Sequence, residues 1–139
     1  MTITAAMHIE SRCLHVVVKG RFTLASAQRS FVDVLDTAVQ HRVVLILLDG
    51  RKVTGAPSTI DRFFYAKFAA LSVALRKDRH GHPRLKFAYV LQVPVLDPKR
   101  FGETVALNRG MDLRVFETVA AARAWLRLPP AAAATESGE

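Results

Sequence analysis

The chain has 139 residues, of which 50% are hydrophobic and 23% charged, with a formal net charge of +8. This length and composition predict one globular domain and exclude a disordered chain, since apolar residues are spread along the whole sequence. The longest wholly apolar run, Val43 to Leu48, is far shorter than the roughly 18 residues that a membrane span needs, and residues 1–10 lack a signal-peptide pattern.

The first third of the chain predicts a hairpin, a helix and a buried strand. Residues 6–19 alternate between apolar and polar around a break at Glu10-Ser11-Arg12, which predicts two paired strands. Apolar residues recur every three or four positions from Leu24 to His41, after a capping Thr23, which predicts an amphipathic helix. Val43 to Leu48 is apolar on both faces, so we expect the central parallel strand here, flanked on both sides.

A polar loop and a second long helix are predicted next. Asp49 is expected to end the central strand, and Ser58 to cap a helix that runs to about Lys77. The apolar residues of this helix that are spaced for one core-facing stripe are Ile60, Phe64, Phe68, Leu71 and Leu75.

Strands and helices also alternate in the last part of the chain. Leu85 to Leu91 predicts a strand, and Asp97-Pro98 is expected to open a short helix that closes at Asn108-Arg109-Gly110. Leu113 to Phe116 predicts the last strand, and Glu117 to Leu128 a last helix whose inward residues are Val119, Ala122 and Leu126. The predicted α/β domain covers residues 1–128 in the order ββαβαβαβα, and residues 129–139 are predicted to be a disordered tail.

Two edges of such a sheet are candidate ligand sites, because ligands bind where strands end and helices begin. The first edge carries Asp49, Arg51, Lys52, Thr54, Ser58 and Thr59; the second carries Gln92 and Asp97. Free amides at the start of the second long helix, next to two cations, predict a site for a phosphate or carboxylate. The alternative is that Ser58 only caps the helix.

The second long helix also carries more aromatic residues than one stripe can hold. Phe63, Phe64, Tyr65 and Phe68 fall within six positions. Phe63 and Tyr65 are expected on either side of the core stripe, where together with Lys67 they would line a pocket or a partner surface. The alternative is that neighbouring helices cover them.

No catalytic motif is present. The sequence has neither a G-x-x-x-x-G-K-[ST] nor a G-x-G-x-x-G phosphate loop. Cys13 and His15 share a strand face without oxyanion donors nearby, and His80 and His82 have no third ligand at metal spacing. We therefore predict that Cys13, His80 and His82 are not catalytic and that no cofactor or metal is bound. The single cysteine makes a reducing cytoplasm the expected compartment.

Three segments carry a resemblance to a known family: V-V-L-I-L-L-D-G-R-K-V-T-G-A-P-S-T-I-D-R-F, F-G-E-T-V-A-L-N-R-G and R-V-F-E-T-V-A-A-A-R-A-W-L. Together with the element order they resemble STAS domains over about residues 6–127, in particular the bacterial single-domain group labelled STAS/SEC14-like. The resemblance implies a mixed sheet of about five strands with four main helices, and a non-enzymatic regulatory or protein-interaction module related to the anti-sigma-factor antagonists.

In those antagonists a serine at the start of the helix after the central strand is phosphorylated by a partner kinase, which switches binding. Here Asp49 matches the strand-end aspartate, whereas the usual Asp-Ser-Ser-Gly-type motif is absent. Thr54 or Ser58 stands near the place of the serine. The resemblance therefore leaves open both a switch at this loop and the small-molecule or lipid binding that the SEC14 label suggests.

Three function classes follow, each with a structural signature. A module that binds another protein, or a second copy of itself, would show an exposed patch along the second helix and no enclosed cavity. A module for a small apolar or anionic ligand would show an apolar pocket of about 300 Å³ or more near Phe63, Tyr65 and Lys67. Nucleic-acid binding is the third class: the net charge of +8 favours it, but no recognised motif or basic stripe accompanies the charge.

Overall fold

The computed structural model describes residues 2–80 and 84–129, so His82 and all but the first residue of the predicted tail lie outside the described residues. The predicted order of elements is confirmed. The elements are β1 (Thr4–Glu10), β2 (Cys13–Arg21), α1 (Leu24–Gln40), β3 (Leu45–Thr54), α2 (Thr59–His80), β4 (Lys86–Val90), α3 (Phe101–Asn108), β5 (Asp112–Phe116) and α4 (Val119–Trp125).

The five strands form one mixed sheet in the order β1-β2-β3-β4-β5. The β1–β2 hairpin is antiparallel and the other three pairs are parallel, so β3 is central and flanked on both sides, as predicted. Each of the crossovers α1, α2 and α3 adds the next strand in the same direction. Right-handed crossovers of this kind place all three helices on one face of the sheet and leave the other face to α4.

The core accordingly has two parts, one on each face of the sheet. Ile46 and Leu48 of β3 belong to the larger cluster under α1, α2 and α3, whereas Leu47 belongs to the smaller cluster under α4. Both faces of β3 are therefore covered, which explains its continuous apolar run.

The predicted end of the central strand is wrong. The strand β3 begins at Leu45 rather than Val43 and continues through the expected loop to Thr54. The reason is its neighbour: β2 reaches Arg21 and pairs Lys19, Gly20 and Arg21 with residues 52, 53 and 54. A register shift after Val17 inserts one extra residue into β3. Ladder hydrogen bonds from β2 therefore hold a polar segment in the strand.

The predicted core stripe of α2 is also wrong. Four of its five residues are exposed to solvent: Ile60 66%, Phe64 46%, Leu71 57% and Leu75 60%. The helix buries Ala66, Ala69 and Ala70 instead, with Phe68 partly buried beside them. Because α2 lies between α1 and α3 and faces the sheet, small side chains on its inner side allow close packing and turn the large ones outward.

The last two helices are shorter than predicted. The helix α3 begins at Phe101, because the Asp97 carboxylate accepts hydrogen bonds from the Phe101 and Lys99 backbone N–H groups, at 2.9 and 3.3 Å, and so holds residues 97–100 in a turn. It closes at Asn108, as expected. The helix α4 covers Val119–Trp125 after the capping Thr118. Of the predicted inward residues, Ala122 is buried on the helix, Leu126 is buried directly after it and Val119 is partly buried.

Candidate functional site

The predicted switch segment is mostly strand. Asp49, Arg51, Lys52 and Thr54 lie on β3, and Ser58 and Thr59 stand at the start of α2. Only residues 55–58 form the connecting turn, where Gly55 adopts a φ of 105° that other residues rarely adopt.

Within this segment the structure brings Asp49 and Arg51 together. The Arg51 guanidinium donates through Nε to Oδ1 of Asp49 at 2.9 Å and through Nη2 to Oδ2 at 2.7 Å, and the Arg51 backbone N–H donates to Oδ1 at 3.1 Å. Lys52 is exposed and lies opposite Lys19 in the ladder. Of the two cations expected beside the α2 N-terminus, Arg51 is thus engaged by its own strand.

Ser58 is exposed and caps α2. Its Oγ accepts the Asp61 backbone N–H at 3.1 Å, and its carbonyl accepts the Arg62 N–H at 3.0 Å. Thr54 is exposed too, and its hydroxyl donates to the Gly20 carbonyl at 3.4 Å. Both hydroxyl groups are therefore at the surface, and the cap that the sequence predicted for Ser58 is present.

The residues proposed to line a pocket or a partner surface separate in the structure. Tyr65 lines an interior cavity. Phe63 is partly buried, with Arg109 at 5.3 Å and the Lys67 ammonium at 5.9 Å from its ring centre. Lys67 is exposed. Only Tyr65 of the three therefore contributes to a pocket.

The cavity lies between the sheet and the layer of α1, α2 and α3, near the carboxyl ends of the parallel strands. It has a volume of about 140 Å³ and is partly open to solvent. Its lining is mainly apolar and includes Val18, Phe31, Leu48, Ala66 and Val115. The volume is below the about 300 Å³ at which sites for drug-sized ligands begin, so the cavity does not favour a lipid-carrier function.

Two arginine side chains form part of the cavity wall. Nη2 of Arg62 donates to the Pro94 carbonyl at 2.8 Å, whereas its buried Nε has no hydrogen-bond partner among the described residues. Nη1 of Arg100 donates to the Val115 carbonyl and lies 3.6 Å from Glu103, which accepts the Val115 N–H at 2.8 Å. These bonds hold the segment before α3 and α3 itself against α2 and β5.

Two tyrosines connect the helical layer with the sheet at this cavity. The hydroxyl groups of Tyr65, from α2, and Tyr89, from β4, lie 2.6 Å apart. Burial raises the pKa of Tyr65 to about 12 and that of Tyr89 well above its usual value, so both are protonated at neutral pH. Sequence reasoning missed Tyr89, because the strand pattern predicted its burial but not its partner.

Of the eight exposed large apolar side chains among the described residues, four lie on α2. Ile60, Phe64, Leu71 and Leu75, which we call the outward stripe, lie within about 60° of one another around the helix axis and extend over about 22 Å. Lys67 falls on the same side of the helix. The sequence signal that could have found this surface is the second, small-residue stripe at positions 66, 69 and 70.

The cysteine and the histidines are placed as follows. Cys13 is fully buried, and burial raises the pKa of its thiol to about 11. His15 is buried on the same sheet face, and burial lowers its pKa. His80 ends α2. Among the residues whose side chains the structure describes, 2–76 and 84–129, no group of three or more metal-ligating side chains occurs. In the described part of the chain no helix is long and apolar enough to cross a membrane.

Comparisons with known proteins give a likeness in fold to a solved structure. No family model and no curated protein matches the chain. The crystal structure of an anti-sigma factor antagonist from Mycobacterium paratuberculosis is similar, with a TM-score of 0.59 and 17% sequence identity, over 90% of this chain and 94% of that one. At this identity the likeness concerns the fold alone. The chain therefore has the STAS-type fold that the sequence segments predicted, a five-stranded mixed sheet with four helices.

Proposed function

We propose that this chain is a non-enzymatic regulatory module that binds another protein through the outward stripe of α2. The exposure of four large apolar side chains on one helix carries the proposal, because exposed apolar patches of this kind mark protein-interaction surfaces. The exposed patch along the second helix is the first part of the signature expected of an interaction module, and the cavity beneath this helix is partly open rather than enclosed. The likeness in fold to an anti-sigma factor antagonist supports the same function class, and a reducing cytoplasm suits the single buried Cys13.

The charge around the outward stripe favours a partner with acidic side chains beside an apolar ridge. Lys67 lies within the stripe, Arg109 packs nearby on Phe63, and neither forms an ion pair with a residue in the described ranges. The whole chain has a formal net charge of +8. A second copy would bring the same positive charge to the interface, whereas an acidic partner would be attracted to it.

The test begins with a photo-crosslinking amino acid in place of Leu71, in cells of the source organism, and the same amino acid in place of Leu107 as control. Leu107 is 49% exposed on α3, outside the stripe. We expect a crosslinked protein from position 71 and none from position 107. A crosslink from position 107 alone would contradict the proposal.

The purified partner then allows a quantitative comparison. Leu71→Gln is expected to weaken binding by at least tenfold in calorimetry, as is typical of an interface anchor, whereas Leu107→Gln should bind as the parent does. Equal affinities for all three proteins would overturn the assignment of the surface. Sedimentation equilibrium tests whether a second copy of the chain binds the outward stripe. A dimer of the parent protein that the Leu71→Gln substitution dissociates would show that the partner is a second copy.

We further propose that modification at Thr54 or Ser58 regulates this binding. Ser58 is exposed two residues before Ile60, the first residue of the outward stripe. A phosphoryl group there would add about −1.5 to −2 charges next to a surface that binds acidic side chains, and would weaken the complex without unfolding the domain.

Ser58→Glu should therefore lower the affinity for the partner. Its free energy of unfolding should fall by no more than the roughly 0.5–2 kcal/mol that the loss of a helix cap costs, and Ser58→Ala serves as the control for that loss. If Thr54→Glu and Ser58→Glu both bind the partner as tightly as the parent, the switch does not exist and Ser58 is only a cap.

A further inference from the structure

The cavity between the sheet and α2 contains a polar group that the described part of the chain leaves unused. Tyr65 and Tyr89 both line the cavity, and among the described residues each hydroxyl has only the other as a hydrogen-bond partner, at 2.6 Å. The pair has two hydroxyl protons, and only one of them lies between the two oxygens. One O–H donor is therefore left over, and a buried donor without an acceptor costs free energy.

The size of the cavity limits what could supply the acceptor. Its volume is about 140 Å³ and it is partly open to solvent, so a molecule can enter. An apolar protein cavity of about 150 Å³ binds benzene. The space next to the tyrosine pair thus fits a single compact ring, whose substituent can extend toward the open side, and it is too small for a fatty acyl chain.

We propose that this cavity is a binding site for a small neutral aromatic or similarly compact molecule with one hydrogen-bond acceptor, such as a ketone or aldehyde oxygen. Val18, Leu48 and Val115 would pack against its apolar body, and the tyrosine pair would donate the remaining proton to its oxygen. This site goes beyond the proposed function, because the cavity lies on the inner side of α2, whereas the outward stripe lies on the opposite side of the helix.

The charges at the cavity favour a neutral ligand over an anion. Two guanidinium groups, of Arg62 and Arg100, and two carboxylates, of Asp97 and Glu103, contribute to the lining, so their formal charges cancel. Both guanidinium groups donate to backbone carbonyl groups, and both carboxylates accept backbone N–H groups. Among the described residues of the lining, the phenol pair therefore provides an unused donor for a ligand, beside the buried Nε of Arg62, which also has no partner there.

The test uses two probes of nearly the same shape, acetophenone, which has a carbonyl oxygen, and cumene, which has none. Each is titrated into the full chain, and the methyl resonances of Val18, Leu48 and Val115 are followed by NMR. We expect saturable shifts with both probes and intermolecular contacts from the probe to these methyl groups. No saturable shift with either probe, up to its solubility limit, would overturn the site.

Variants then separate the cavity from its hydroxyl pair. In Ala66→Leu the added methyl groups occupy the cavity, and binding of both probes should be lost. The double variant Tyr65→Phe/Tyr89→Phe should weaken acetophenone about five- to tenfold, the effect of one lost hydrogen bond, and change cumene less than about twofold. Each single variant retains one unpaired hydroxyl proton and should bind acetophenone within about twofold of the parent.

Two outcomes of the variant experiment contradict the proposal. Acetophenone binding that is unchanged in the double variant would show that the hydroxyl pair does not recognise the ligand. Probe binding that persists in a folded Ala66→Leu protein would place the probes elsewhere. Thermal unfolding of each variant establishes that it is folded, and the contacts to the methyl groups of the parent provide a readout that needs no variant.

Discussion

His15 is the residue whose burial has the clearest consequence for stability. Its Nε2 lies 3.3 Å from the Glu10 carbonyl oxygen, and its ring stacks on that of His8 with the ring centres 5.0 Å apart. Donation to a carbonyl requires a proton on Nε2, which the neutral ring can supply. Desolvation by burial lowers the pKa of His15 below 6.5, and the neighbouring His8 lowers it further.

This depressed pKa predicts a loss of stability in mild acid. The unfolded chain takes up the His15 proton near pH 6.5, before the folded protein does, so the free energy of unfolding is highest above that pH and falls as the pH drops through the folded pKa. Urea unfolding between about pH 7.5 and 5.5 should show this slope, and His15→Phe should reduce it. The exposed His41 provides the control, and an equal effect of His41→Gln would contradict the assignment.

Cys13 should be unreactive in the folded protein. Its thiol is fully buried and its pKa is raised to about 11, so almost no thiolate forms at neutral pH. We expect a thiol reagent to modify native protein at least about a hundredfold more slowly than protein in urea. Rapid modification of the native protein, with the fold retained, would show that the thiol is accessible and reopen the question of a reactive cysteine.

At the scale of elements, the rotation of α2 is the largest difference between expectation and structure. The sequence presents two apolar stripes on this helix, one of large residues and one of alanines. Periodicity alone favours the large stripe as the core-facing one. Which stripe is buried depends on the distance between the helix axis and the sheet, and α1 and α3 on either side help set that distance.

This orientation predicts opposite effects for two substitutions in α2. Leu71→Gln should change the free energy of unfolding by no more than about 0.5 kcal/mol, because the side chain is exposed and glutamine is a good helix former. Ala70→Leu should destabilise by about 1–3 kcal/mol, because it overpacks a buried position outside the cavity. Chemical denaturation measures the free energy of unfolding of both variants. A larger loss for Leu71→Gln than for Ala70→Leu would show that the stripe predicted from the sequence faces the core.

At the scale of the whole molecule, the charge imbalance should oppose folding at low salt. The formal net charge is +8, and Lys19 and Lys52 lie opposite each other on neighbouring strands. Screening reduces like-charge repulsion, so the thermal midpoint should rise between about 10 and 150 mM salt. Lys52→Gln should reduce this salt dependence, and a midpoint that falls over the same range would show that attractive pairs dominate.

The sequence by itself determined the order of elements, the central position of β3 and the caps at Thr23 and Ser58, since apolar periodicity and capping are local properties of the chain. It also determined the type of fold, through segments that resemble STAS domains.

Only the tertiary structure decided the length of β3, the outward stripe of α2 and the pairing of Tyr65 with Tyr89. The reason is that each depends on a neighbour distant in sequence: β2 supplies the ladder that extends β3 to Thr54, the helices α1 and α3 flank α2, and Tyr89 lies 24 residues from its partner. Both proposed sites lie on α2, whose two sides could not be told apart until its neighbours were in place.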